Sequence, residues 1–180
     1  MSSARLREIL VPRRGEHVLE VGVGSGAYAL DVAADIAPGR LDVVDMAPEM
    51  LEATMRRARE RQVVNIHPTL ADVRYLPYGD ATFDAAYTVA ALGIAGPDPA
   101  LGELARVMRP TGRLVVGELF GDPHLLRADE LKHCAARAGL RLASRRDFAC
   151  GYFALLEPAA GPRPRFFSRD APLPRAAAPR

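Results

Sequence analysis

His17-Val-Leu-Glu-Val-Gly-Val-Gly-Ser-Gly-Ala27 is the stretch whose reading decides the fold. Val18 to Val21 is an apolar run broken by one carboxylate, Glu20. It reads as a buried parallel strand with a polar residue near its end. Gly22, Gly24 and Gly26 then alternate across a turn, and a helical pattern begins at Ala27. Glycine is needed where φ must be positive, or where backbone must approach a ligand more closely than a Cβ allows. Strand, glycine turn and helix are how an open α/β sheet holds a nucleotide.

Gly22-x-Gly24-x-x-Ala27 also satisfies the dinucleotide fingerprint, a weak signal when it stands alone. Two details point elsewhere. Gly26 makes the spacing G-x-G-x-G, and Glu20 stands two residues before the first glycine. A carboxylate so placed repels a pyrophosphate. It suits a cationic ligand, through its charge or by accepting a hydrogen bond from an ammonium group. S-adenosylmethionine (SAM) carries a sulfonium and an amino group and has no phosphate. Acid-x-Gly-x-Gly-x-Gly at the end of a first strand resembles the first motif of class I SAM-dependent methyltransferases.

Further motifs follow in the order that resemblance implies. Arg40 to Asp45 reads as a second strand ending in an acid. Asp45 falls about 20 residues beyond the glycines, where a carboxylate accepts hydrogen bonds from both ribose hydroxyls. Asp45-Met-Ala-Pro-Glu-Met-Leu51 is similar to the Asp-x-Ser-x-x-Met-Leu of many methyltransferases. Ala47 replaces the serine, which removes a side-chain N-cap at a cost of ~1 kcal/mol. The resemblance sets Met46 against the adenine face. Pro48 opens a helix running to about Gln62, with Met50, Leu51, Thr54, Met55 and Ala58 as its inward core stripe. Val63 to Leu70 is a third strand. Pro68 inside it marks a sheet edge, which is where the family places this strand. By the same resemblance, Asp72 accepts from the adenine amine and the amide of Val73 donates to a ring nitrogen.

Leu76-Pro-Tyr-Gly-Asp-Ala-Thr-Phe-Asp84 resembles the Leu-Pro-Phe-x-Asp-x-x-Phe-Asp of the broad small-molecule (methyltransferase type 11-like) group. Ala85 to Val89 is a central fourth strand. The resemblance puts the methionine end of SAM at its C-terminal end, beside Thr88 or Val89. Gly93 to Pro97 reads as a loop, and Asp98-Pro99 as the start of a helix to Met108. Arg106-Val-Met-Arg-Pro-Thr-Gly112 resembles the family's Arg-Val-Leu-Lys-Pro-Gly-Gly, with Thr111 for the first glycine. The run Leu92-Gly-Ile together with Arg113 to Glu118 carries a partial likeness to quinone-ring C-methyltransferases. A loop over the strand ends, Phe120 to Leu126, holds Asp122 and His124, and His124 reads as an exposed loop residue. Glu118 stands at the strand end just before it. No general base stands out, and no metal-ligand spacing is present.

Composition sets the outer limits. The 180 residues make one domain, and 49% apolar with 26% charged residues is the balance of an ordinary globular protein. A net charge of +2 argues against a nucleic-acid partner. So does the lack of an Asn/Asp-Pro-Pro-Tyr box, or of a cysteine where a C5-cytosine enzyme needs one. Arginine dominates the bases, with Lys132 the only lysine, as expected from codon bias. Cys134 and Cys150 read as buried reduced thiols of a cytoplasmic protein. His17 reads as a solvated strand-entry residue. No signal peptide is visible, and no apolar run approaches the ~20 residues that span a membrane.

The expected fold is α/β: a Rossmann-like, doubly wound, seven-stranded sheet, mostly parallel with a reversed last strand. It occupies residues 1–157, with a flexible Pro/Ala/Arg-rich tail over 158–180. The expected function is SAM-dependent methyl transfer to a small-molecule acceptor at an O, N or C centre. Two rivals share the sheet type, an NAD(P)-dependent oxidoreductase and a SAM-binding protein without catalysis. A short helix at Ala4 to Val11 is all that precedes the first strand, so a second subunit (a homodimer) or the substrate itself is expected to close the site.

Overall fold

The computed structural model describes residues 1–160, so the expected tail lies, from residue 161 on, outside the described residues. In chain order the elements are α1 (Ser3–Leu10), β1 (His17–Val21), α2 (Ala29–Ile36), β2 (Arg40–Asp45), α3 (Pro48–Glu60), β3 (Ile66–Leu70) and β4 (Phe83–Val89). Next come α4 (Leu92–Ala95), α5 (Pro97–Val107), β5 (Met108–Leu119), α6 (Ala128–Arg137), β6 (Leu140–Phe148) and β7 (Gly151–Pro158). The strands form one sheet in the order β3-β2-β1-β4-β5-β7-β6. β1 pairs in parallel with both β2 and β4, and β7 runs antiparallel to both β5 and β6. This is the doubly wound sheet with one reversed strand that the sequence predicts.

Period-2 patterning explains the two cores. Leu19 and Val21 of β1 face one side with Ala86 of β4, Val116 of β5 and the inward residues of α5 and α6. Val18 faces the other side with Tyr87, Val115 and the buried residues of α1, α2 and α3. Successive strand side chains point to opposite faces, so five residues of β1 serve two hydrophobic layers. The chain moves from β1 out to β3, then returns across β1 to β4. That reversal is the topological switch point, where the carboxyl ends of β1 and β4 part and leave a crevice.

Local sequence accounts for the helices that flank the crevice. α3 begins at Pro48 after Ala47, which makes no side-chain cap, as the serine-to-alanine departure predicts. Glu49 in the first turn and Arg57 and Arg59 in the last suit the helix dipole. β3 is an edge strand, so Pro68 removes no interior ladder bond.

Several expectations are corrected. Residues 93–97 are not a plain loop: Leu92–Ala95 closes one helical turn, because Leu92 is buried and anchors it. α5 starts at Pro97, one residue before the expected Asp98 cap, since Pro97 suits the first helical position. The fifth strand, expected over Arg113 to Leu119, extends back to Met108 through a register shift against β4. Met50 lies partly exposed, whereas Leu51, Thr54 and Ala58 are buried. Cys134 is buried but Cys150, in the β6–β7 turn, is exposed. His17 is no bystander: its Nε2 lies 2.6 Å from Oδ2 of the buried Asp42, which also takes two hydrogen bonds from Arg40. Burial pushes the Asp42 carboxyl up, but Arg40 and His17 together outweigh it and hold it at about 2. Among the described residues, no helix is long and apolar enough to cross a membrane.

Candidate active site

A cleft of about 600 Å³ opens at the switch point. Gly22, Gly24, Asp45, Met46, Asp72 and Val73 line it, six of the nine residues singled out from sequence. Val89, Ala90 and Ala91 from the end of β4, and Ile94 and Ala95 of α4, form the opposite wall.

The glycine turn is built residue by residue. Gly22, Gly24 and Gly26 all have positive φ, at 71°, 51° and 74°. A Cβ on Gly22 would lie 2.6 Å from the Ala91 Cβ, so this glycine lets β1 and β4 close the cleft floor. A Cβ on Gly24 would meet no protein atom within 4 Å, so the backbone there faces free space beside the cleft. Gly26 has another task and does not line the cleft. A Cβ on it would come 2.8 Å from Thr54 Oγ1, so this glycine lets the turn pack against α3.

Sequence reading missed the groups that hold this turn. The Thr54 hydroxyl donates to the Gly24 carbonyl at 3.2 Å, and Arg57 Nη1 donates to the Ser25 carbonyl at 2.7 Å. The available signal was Thr54 itself, a hydroxyl on an otherwise apolar stripe. Asp45 completes the hold: its Oδ2 accepts the Gly24 amide at 3.1 Å and its Oδ1 the Ala47 amide at 3.0 Å. Each carboxylate oxygen keeps acceptor capacity for a further hydroxyl.

Glu20 and Thr88 do not line the cleft. Glu20 points to the α1–α3 face, where it is buried and accepts the Tyr87 hydroxyl at 2.7 Å. Burial pushes its carboxyl up to about 8; the Tyr87 bond opposes the rise and the nearby Asp45 charge adds to it. The partner was legible as the one polar ring in a central strand, but nothing in the spacing pairs it with Glu20. Thr88 is buried with its Oγ1 unpartnered among the described residues.

At the far lip, Asp72 is gripped by its neighbour. Arg74 Nε donates to Oδ1 at 3.0 Å and to Oδ2 at 2.8 Å, and these bonds hold the Asp72 carboxyl below its ordinary range. Arg74 also lines the cleft and was not singled out from sequence. Met46 is 65% exposed and Ile94 67%, so both lips of the cleft present bare apolar side chains. α1 packs against β5 and β7 and lines no part of the cleft, so it is not a lid. Among the described residues no cluster of three or more His, Cys, Asp or Glu side chains could hold a metal ion.

Comparison with known proteins gives a consistent picture. A family described as a methyltransferase domain matches residues 18–112. An O-methyltransferase (cnsE) of Penicillium expansum is 30% identical over 152 residues, covering 74% of this chain and 55% of that protein. A ubiquinone/menaquinone biosynthesis C-methyltransferase (UbiE) of Paracoccus denitrificans is 41% identical over 120 residues, covering 63% and 46%. The chain thus spans about half the length of these curated relatives. A crystal structure of a SAM-dependent methyltransferase from Aquifex aeolicus superposes with a TM-score of 0.76 at 19% identity, covering 85% of this chain and 88% of that one.

Proposed function

The chain belongs to the methyltransferase domain family, and from that premise we propose that its cleft holds SAM and serves methyl transfer to a small-molecule acceptor. The observation that carries this reading is Asp45. It ends β2, binds the Gly24 amide and lines the cleft at the switch point of the sheet. A carboxylate there, beside a glycine whose Cβ position is free of protein atoms, fits a ribose whose two hydroxyls donate to it.

The residues divide the work. Asp45 takes the ribose hydroxyls, Met46 covers one adenine face, and Asp72 with the Val73 amide meets the adenine edge. Arg74 already neutralises Asp72, so that edge is read by hydrogen bonds more than by net charge. Gly22 and Gly24 let the backbone come close to the amino-acid part. Glu20 acts from behind. It holds β4 to β1 through Tyr87, fixing the floor from which the turn rises. Bound here, SAM would supply an electrophilic methyl carbon whose leaving group is a neutral thioether. The protein's contribution is then alignment of the nucleophile, an effect worth up to about 7–11 kcal/mol.

The relatives, an O-methyltransferase and a quinone-pathway C-methyltransferase, support a small organic acceptor. The bare Met46 and Ile94 at the lips support closure by the acceptor or by a second copy of the chain. Full turnover by a monomer on a small acceptor would rule out the second copy. The exposed free thiol of Cys150 supports a reducing, cytoplasmic location.

Calorimetric titration with SAM, S-adenosylhomocysteine (SAH) and NADH tests the cofactor. We expect SAM and SAH to bind, NADH not to, and Asp45→Ala to weaken SAH at least tenfold. Binding of NADH without SAM would return the oxidoreductase reading. SAH binding with no transfer to any acceptor would favour a non-catalytic binder.

A further inference from the structure

Oγ1 of Thr88 and Oε1 of Glu118 are both buried without a partner among the described residues. Thr88 is 1% exposed and Glu118 2%. β4 and β5 are parallel neighbours, with Thr88 opposite Val116 and Val89 opposite Gly117. Glu118 lies two residues beyond Val116, so its side chain leaves the same sheet face as that of Thr88. Both stand at the carboxyl ends of their strands, the edge on which the cleft opens.

The other polar groups around Glu118 are committed. Its Oε2 accepts the Leu126 amide at 3.2 Å. Tyr152, opposite Glu118 on β7, donates its hydroxyl to the Leu126 carbonyl at 2.5 Å. One carboxylate oxygen therefore remains for a proton donor from outside the chain. Leaving such an acceptor buried and unmade is unfavourable, so the group calls for a partner.

α4 separates this pair from the cleft. Ile94 and Ala95 line the cleft, while Leu92 is buried in the same core as Leu126 and Tyr152. Gly93 packs so tightly on the 120–127 segment that a Cβ would lie 1.8 Å from the His124 carbonyl oxygen. α4 is a single turn with no side-chain cap, set between Ala90 at φ 52° and Gly96 at φ 85°. A lone turn has little stability of its own, so the Leu92 and Gly93 contacts are what hold it in place.

We propose that Thr88 and Glu118 form the polar subsite for a hydroxyl-bearing acceptor, reached when α4 swings out, and that Glu118 Oε1 takes the hydroxyl proton during transfer. This rests on the SAM reading above. In the step, the acceptor O–H bond breaks and its proton passes to Glu118. An oxygen electron pair forms the O–CH3 bond. The S–CH3 bond breaks, and its pair neutralises the sulfonium to a thioether. The Thr88 hydroxyl donates to the acceptor oxygen and orients it. Burial lifts Glu118 to about 7; the Leu126 amide opposes the rise and Asp122 adds to it. The other ionisable groups near this corner are Tyr152 on β7 and, around Tyr152, Arg145 and Asp147 of β6 and Glu130 of α6, while His124 lies beside Asp122. A base near neutrality takes and returns a proton readily at physiological pH.

The test uses the full chain loaded with SAH and 4-nitrophenol as the probe, followed by absorbance titration. We expect binding, weakened at least tenfold in both Glu118→Gln and Thr88→Val, with SAH affinity in both variants within twofold of the parent. With methyl-labelled SAM and para-substituted phenols, kcat/KM should fall on the acid side of about pH 7 in the parent and lose that limb in Glu118→Gln. Absence of phenol binding by the SAH-loaded protein would overturn the subsite, as would phenol affinity that ignores both substitutions. Failure of SAH itself to bind, measured separately, would overturn the cofactor reading and this inference with it.

Discussion

Gly24 and Gly26 are two positions apart and do different things, which a substitution series separates. Both sit at positive φ, which costs a non-glycine residue about 1–2 kcal/mol. Gly26→Ala adds a clash with Thr54, so its loss of stability should reach about 2–4 kcal/mol, read from denaturant unfolding. Gly24→Ala meets no protein atom, so stability should fall by about 1–2 kcal/mol while SAH affinity drops more than in Gly26→Ala. The alternating glycines were legible in the sequence, but this division of labour was not, because it depends on which side of the turn α3 packs. Glu20 makes the same point. Its place before the glycines was plain, yet its partner is set by the register of β1 on β4, where Glu20 pairs with Tyr87. The folded state holds the Glu20 proton up to about pH 8, while an unfolded chain gives it up near 4.5. Its contribution to stability is therefore complete below pH 4.5 and lost as pH rises toward 8. Glu20→Gln keeps an acceptor for Tyr87 and removes the titration. Its melting temperature should decline less than the parent's between pH 5 and 8.

Among the elements, β2 carries most of the site's foundation. Its outer end supplies Asp45, and its inner part supplies Asp42, clamped by His17 of β1 and by Arg40. Asp42 has the opposite sign of linkage to Glu20. Its folded carboxyl sits near 2 against an ordinary 3.8, so its contribution is present above about pH 4 and disappears as pH falls toward 2. Asp42→Ala should cost about 2 kcal/mol at pH 7 and approach the parent's stability below pH 3, in urea titrations at the two pH values. Strand and helix order was readable from apolar periodicity, including the edge position that Pro68 demands. What escaped was α4: four residues carry too little pattern, and its existence depends on Leu92 finding the core. α1 was readable as a helix but not as one that packs on β5 and β7 instead of covering the cleft.

For the whole molecule, the cofactor and the fold share one free-energy account. SAH at one hundred times its dissociation constant should raise the unfolding free energy by about 2.7 kcal/mol. Thermal melts with and without SAH check this, and at the same SAH concentration Asp45→Ala should cut the stabilisation to about half or less. The doubly wound plan and its ligand edge were legible because four motifs occur in family order. The subsite proposed for the acceptor was not, since Thr88 and Glu118 are 30 positions apart and share a sheet face only through the β4–β5 register. One consequence of that sheet concerns synthesis. Among the described strands β7 is made after the other six, yet it lies inside the sheet, wedged between β5 and β6. Until it emerges, the nascent chain shows two open strand edges waiting for the same missing piece, the kind of surface that recruits neighbours or chaperones. Translation must therefore pass Pro158 before the sheet can close. A stall just short of that point would leave the unclosed sheet at its most adhesive.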